Sequence, residues 1–344
     1  MHLIIDIRSA SPVDTFIAQY ASNWVDIWKS LHPEDRITYI HFGHQKSPEN
    51  GKSIIVKWSW YGHWKSISIP WSKEIFRCIN FSSYSKYDAK IVTISHIFDH
   101  ANNLYPWVEK SWLEWIVKKH IKNRIRQSWV IIVPSLIVGQ ETVDILSVRE
   151  DNIEIIPYVW FEPIIGDRKI LNQLSISGPY WLYNGTYWSE ANIYGLLKGY
   201  KQYRELGWSH ILILIWQPID AELRNISDLI QKMNLTGYVR IIGLINSPDL
   251  ESLYAFASGW VYVGAYYASG PHIELAQNYW IPLLISDIPS LIDYHLWAIT
   301  IHPNHLGVLW ESLRRLEHKT IKQKKKVSNI EIMKAYEKII SENR

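Results

Sequence analysis

At 344 residues the chain is long enough for two domains of about 150 residues each. With 47% hydrophobic and 20% charged residues it can bury sizeable cores, which excludes a disordered tail. The net charge of +3, from 36 Lys and Arg against 33 Asp and Glu, is too mild for a dedicated nucleic-acid binder, and the single cysteine, Cys78, excludes a disulfide scaffold or a Cys-based zinc site.

His2–Asp6 is a short apolar run with a polar end and predicts a buried strand. Met1 leads straight into it with no signal-peptide pattern, so a soluble, cytoplasmic protein is expected. Thr15–Leu31 carries Phe16, Ile17, Tyr20, Trp24, Ile27 and Leu31 mostly at helical spacing and predicts a helix. Arg36–His41 and Lys90–Ile94 read as further strands, the latter followed by a polar, His-rich loop. Trp112–Ser128 reads as a basic helix, Trp129–Pro134 as a strand, Val138–Val148 as a helix and Ile153–Pro157 as the strand that closes this half. The longest apolar stretch, Trp129–Gly139, is interrupted by Pro134 and Ser135 and falls short of the roughly 18–20 residues of a spanning helix. Phe161–Pro179 looks irregular and serves as the linker.

The second half alternates more cleanly. Strands are predicted at Tyr180–Asn184, Ile211–Ile215, Tyr238–Ile242, Trp260–Val263, Pro282–Ser286 and Ala298–His302. Helices fall between and after them at Ala191–Leu206, Asp220–Met233, Asp249–Ser258, Pro271–Asn278 and Val308–Leu316, with Ser247 and Pro248 as start signals for the third. A last helix, Ser328–Ile340, opens with Ser328 and Glu331 at capping-box spacing. Strands alternating with helices in both halves predict an α/β protein with two doubly wound, Rossmann-like domains facing across a cleft. The expected division is 1–160, a linker 161–179, 180–327, and a C-terminal helix 328–344 packing back on the first domain. Ligands in such folds bind at the carboxyl ends of the strands.

The most informative segment runs from Tyr266 to Ser286. A strand ends in a Ser269-Gly270-Pro271 loop, and Pro271 opens a helix at its first position. Backbone N–H groups at such a helix start can hold a phosphate, and Glu274 in the first turn could bond a sugar hydroxyl. The plainer reading is that Glu274 is only a favourable charge at a helix N-terminus.

This segment resembles the signature of the family-4 glycosyltransferases of GT-B fold: two glutamates eight positions apart around a glycine- and proline-containing loop, then a helix, a glycine and a Pro-Val strand entry. Glu274 matches the second glutamate, Pro271 the loop proline, and Ile281-Pro282-Leu283 the strand entry. Ser286–Ser290, Leu244–Ala257, Ile155–Pro157, Val92–His96 and Met1–Asp6 with Gln19 and Tyr20 resemble further stretches, so the likeness runs nearly end to end. It implies a retaining transferase that moves a sugar from a nucleotide diphosphate sugar to a glycan or lipid-linked acceptor, as in cell-surface polysaccharide synthesis. The donor would lie on the C-terminal domain and the acceptor on the N-terminal one, with no metal and no cofactor. The implied donor-binding set is Glu274, Ser269, Gly270, Gly185, Thr186 and Trp216; the catalytic positions are His96 and Tyr266.

Three departures stand against full activity. Tyr266 occupies the place of the first glutamate. The segment Gly185–Asn192 holds no Lys or Arg where the family places a basic pair for the diphosphate, and the nearest is Lys198. The N-domain histidine aligns with Ser95, leaving His96 displaced by one. The rival reading is a degenerate GT-B protein that serves as a binding or scaffold partner. A nicotinamide oxidoreductase is disfavoured, since no Gly-x-Gly-x-x-Gly follows the first strand.

Tryptophan is abnormally common, at 19 residues against 16 glycines. Trp280 falls at the position after a helix where a left-handed residue is preferred, and Trp216 at a strand-to-helix turn. Trp160, Trp188 and Trp297 also lie at turns or in loops, and the resembling family carries glycine at or beside several of these points. We expect that some of these are UGA codons meaning glycine, read under the wrong code. Trp24, Trp28 and Trp115 fit genuine packing on helix faces. The Trp- and Lys-rich Lys57–Lys73, with Pro70 inside it, and the basic run Lys319–Lys326 leave a peripheral membrane contact open, the latter reading first as a solvated linker.

Overall fold

The computed structural model describes residues 1–7, 15–42, 52–56, 66–67, 76–80, 86–87, 91–97, 122–123, 125–159, 163–185, 191–215, 220–243, 245, 247–267, 271–294, 296–319 and 327–342. The chain divides into two compact units, Met1–Trp160 with Val327–Arg344, and Phe161–Lys326.

The first unit is built on a parallel sheet of seven strands in the order β3-β2-β1-β5-β7-β8-β9. These are β1 His2–Asp6, β2 Arg36–Phe42, β3 Lys52–Val56, β5 Phe76–Asn80, β7 Ile91–His96, β8 Val130–Val133 and β9 Ile153–Ile155. A separate pair of two-residue strands, β4 Ser66–Ile67 and β6 Lys86–Tyr87, completes its strands among the described residues. Leu3, Ile4 and Ile5 of β1 are wholly buried, as a central parallel strand with both faces covered requires. Helix Thr15–Leu31 packs Tyr20, Trp24 and Trp28 into this core. The Trp24 and Trp28 rings stack at 5.1 Å, and the Trp28 indole donates to Asp35 at 3.0 Å. The last helix, Asn329–Ser341, packs Ile332, Met333, Tyr336, Ile339 and Ile340 into the same core. Its start carries the full capping box expected of Ser328 and Glu331.

The second unit holds six parallel strands in the order β12-β11-β10-β13-β14-β15. They are β10 Tyr180–Asn184, β11 Ile211–Ile215, β12 Val239–Ile242, β13 Gly259–Tyr262, β14 Leu283–Ser286 and β15 Ala298–Ile301. Numbered within the unit this is 3-2-1-4-5-6, the doubly wound Rossmann order, with direction of winding reversing between β10 and β13. Helix Ile193–Glu205 lies so close to helix Leu309–Glu317 that a Cβ on Gly199 would stand 2.6 Å from Leu309. A larger residue at 199 would force those helices apart.

Some expectations change. The segment 161–179 is not wholly irregular: Lys169–Gln173 is helical and packs on helix Ser247–Ala255. The Asp167 carboxylate accepts from the Lys169 N–H, and the Ser252 hydroxyl accepts from the Asp167 N–H, so local polar bonds start this helix where no hydrophobic period announces it. Strands β3, β4, β5 and β6 have no counterpart among the predicted elements, and the strand predicted to stop at Ile94 continues to His96. The predicted helix Trp112–Ser128 falls mostly outside the described residues.

Candidate functional site

In a doubly wound sheet the ligand crevice opens where the strand order reverses, at the carboxyl ends. In the second unit that point lies between β10 and β13. Register places Leu182 beside Trp260, and Trp260 beside Leu283, so Asn184, Tyr262 and Ser286 stand together at the carboxyl edge of three neighbouring strands. Asn184 is 6% exposed and Ser286 wholly buried, which gathers amide and hydroxyl groups where the remaining strand residues are apolar.

Helix Pro271–Asn278 follows β13 and carries Glu274 in its first turn, as the sequence indicates. Glu274 is half-buried. A carboxylate there is favoured by the helix dipole. His272, also in the first turn and half-buried, meets Asn184 across the reversal point, with Nδ1 3.1 Å from the Asn184 amide nitrogen. Burial pushes its pKa down to about 4, so the ring is neutral near pH 7. The pair was missed from sequence; the signal that could have found it is a histidine directly after the loop proline.

Tyr266 is 9% exposed, and its carbonyl accepts a hydrogen bond from the Tyr262 hydroxyl. Gly185 immediately follows β10, and a Cβ on it would lie 3.1 Å from the Tyr183 hydroxyl. Ser269, Gly270, Thr186 and Trp216 lie outside the described residues, as do Trp160 and Trp188. Of the site residues expected on the second unit, Gly185, Tyr266 and Glu274 lie within the described residues.

His96 belongs to the first unit. It ends strand β7 rather than lying in a surface loop, and it is 4% exposed. Its Nε2 is 2.7 Å from the Tyr336 hydroxyl, which in turn lies 3.1 Å from the Tyr20 hydroxyl. The Tyr336 ring stacks on the imidazole with centroids 5.7 Å apart. Burial raises the Tyr20 phenol to about 12 and the Tyr336 phenol well above its ordinary value, so both stay protonated. The last helix therefore closes over His96 with an aromatic hydrogen-bonded chain.

Trp280 follows helix Pro271–Asn278 in the left-handed region, at φ 57°, and is 54% exposed. Its N–H bonds the Gln277 carbonyl at 3.1 Å and the Ile281 N–H bonds the Ala276 carbonyl at 3.2 Å. These are the two bonds of a Schellman ending, whose central position favours glycine. Asn234 and Ser175 hold the same conformation after their helices, with small side chains.

Among the described residues no cluster of His, Cys, Asp or Glu is arranged to hold a metal, and no helix is long and apolar enough to cross a membrane.

The fold is that of the GT-B glycosyltransferases, with two Rossmann-like domains. HepE of Anabaena, solved in complex with UDP and glucose, matches with a TM-score of 0.69 at 10% identity, covering 98% of this chain and 99% of that one. Sucrose-phosphate synthase from Thermosynechococcus elongatus matches with a TM-score of 0.67 at 14% identity, over 92% of this chain and 89% of that one. WaaG, a glycosyltransferase involved in lipopolysaccharide biosynthesis, gives 0.66 at 13% identity, over 93% and 91%. No family model and no curated protein matches the sequence.

Proposed function

We propose that the chain is a retaining glycosyltransferase that takes a hexose from a nucleotide diphosphate sugar and passes it to a glycan or lipid-linked acceptor. The observation that carries the reading is the coincidence of two features at one place. The second unit has its strand-order reversal between β10 and β13, and the helix that follows β13 begins there with Glu274 in its first turn. The near full-length likeness to a structure that holds UDP and glucose supports a nucleotide-sugar donor.

In this reading Glu274 bonds the nucleotide ribose. The amides of the Ser269-Gly270 loop and of the helix start receive the diphosphate, where preorganised donors would stabilise the charge on the leaving group. Gly185, Thr186 and Trp216 border the donor. Tyr266 stands where the reacting sugar would lie. The domain roles follow: donor on 180–327, acceptor on 1–160. A role in cell-surface polysaccharide synthesis places the protein in the cytoplasm at the inner face of the membrane. Release of nucleoside diphosphate from UDP-, ADP- and GDP-linked sugars, with and without a glycan or lipid-linked acceptor, tests the reading. Acceptor-dependent release supports it.

A second reading is a GT-B protein that has lost catalysis and binds a partner. Tyr266 in place of a glutamate and the absence of Lys and Arg from 186–192 favour it. It predicts no turnover with any nucleotide sugar while a partner enzyme still binds.

A further inference from the structure

The donor loop after Gly185 carries no cation, yet a diphosphate brings two negative charges to the site proposed for it. Resting on that donor reading, we propose that His272 supplies the missing positive charge by taking up a proton as the diphosphate of the donor binds.

The geometry places His272 for this. It sits in the first turn of the helix that begins at the strand-order reversal, and its ring joins that helix to the end of β10 through Asn184. The bond therefore spans the crevice where a doubly wound sheet receives its ligand. A second observation lies at the same edge. The Ser286 hydroxyl at the end of β14 is wholly buried and has no hydrogen-bond partner among the described residues, as a group that waits for a polar ligand or water would be.

Two chemical properties of the pair suit a change of charge. With the Asn184 amide nitrogen as donor, Nδ1 of the imidazole accepts and Nε2 carries the ring proton. When Nδ1 takes a proton from the buffer, the Asn184 amide can turn and present its oxygen, so the same contact serves both charge states. An aspartate or glutamate in place of Asn184 would fix the ring as a cation, and an apolar residue would leave the cation without support.

The surroundings of the ring set its starting state. The helices and strands packed against helix Pro271–Asn278 offer Asp249, Glu251 and Tyr254 from helix Ser247–Ala255 and Tyr262 from β13, while Glu274 lies on the same helix. Burial is what lowers the pKa of the ring, to about 4, and keeps it neutral. An anion at the helix start reverses that balance, because an opposite charge within a few ångströms favours the charged ring.

The test is calorimetric titration of the full chain with UDP-glucose, ADP-glucose and GDP-mannose, in two buffers of different ionisation enthalpy. These diphosphate diesters have no group that titrates between pH 5.5 and 7.5, so any buffer-dependent heat belongs to the protein. The expected result for the nucleotide sugar that binds is uptake of a substantial fraction of a proton at pH 6.5. Affinity should rise by up to about tenfold per pH unit as the pH falls from 7.5 to 5.5. His272→Gln keeps a partner for Asn184 but should abolish the uptake and flatten the pH profile. Asn184→Asp holds the ring protonated beforehand and should bring the uptake towards zero with the histidine still in place. Binding without proton uptake, or uptake unchanged in His272→Gln, overturns the inference and leaves the donor reading standing. Failure of every nucleotide sugar to bind overturns the donor reading itself, and the inference with it.

Discussion

Each unit holds a histidine near the carboxyl end of its sheet, in different company. In the first, His96 terminates β7 and is covered by the protein's own last helix, where Tyr336 both bonds and stacks on the ring. In the second, His272 follows β13 in the first turn of a helix and spans the strand-order reversal to reach Asn184. Residue type alone therefore says little about role. One imidazole is bonded and stacked by a tyrosine of the last helix; the other meets an amide across the strand-order reversal. The distinction comes from what the remainder of the chain lays over each strand end.

The largest expected effect tests the covered end. Tyr336→Ala removes a wholly buried aromatic ring and breaks its bonds to Tyr20 and His96. We expect a loss of about 3–5 kcal/mol in urea unfolding of the first unit. A loss below 1 kcal/mol would mean that the last helix is not a fixed part of that core.

The next effect concerns pH. His272 has a folded pKa near 4 and an unfolded one near 6.5, so its stabilisation is complete above pH 6.5. As the pH falls through this window the unfolded chain binds the proton first, and stability falls by up to about 3 kcal/mol by pH 4. Burial lowers the pKa of His210 too, against a smaller opposing effect from Glu317, which adds to the same trend. His272→Gln should flatten the decline in thermal melts between pH 7 and 4, and a decline that keeps its full slope would show that His272 is not held neutral.

Glu274→Ala should weaken nucleotide binding by roughly 1–3 kcal/mol, the size of a lost hydrogen bond to a charged group. Calorimetry that finds the same affinity in both proteins counts against the ribose role.

The smallest effect is at Trp280. A left-handed conformation is costly for any residue with a Cβ, and the indole is more than half exposed, so little packing is lost with it. Trp280→Gly should raise stability by about 1 kcal/mol, seen as a higher melting temperature. A lower one would make the tryptophan a genuine packing residue. The codon gives an independent answer, since UGG at this position ends the glycine reading.

Much of this was legible in the sequence where periodicity and end signals agree. The second unit's strands and helices follow their apolar runs closely, and Trp280 lies in the backbone conformation that its place after the helix demands. The capping box of Ser328 and Glu331 was equally plain. Strands β3 and β5 were not, because Lys52–Val56 and Phe76–Asn80 are short and set among Trp- and Ser-rich stretches without clear alternation. The burial of His96 could not be read locally at all. Its cover comes from Tyr336, 240 residues further along the chain. The His272–Asn184 bond was hidden for the same reason, since it depends on which strands become neighbours in the sheet.

We propose that the nucleotide sugar is held by the second unit at its strand-order reversal. Hydrogen–deuterium exchange of the full chain with and without a bound nucleotide sugar tests it most directly. Slower exchange is expected in peptides covering the end of β10 and the start of helix Pro271–Asn278. Protection confined to the first unit, around the end of β7 and the last helix, would contradict it.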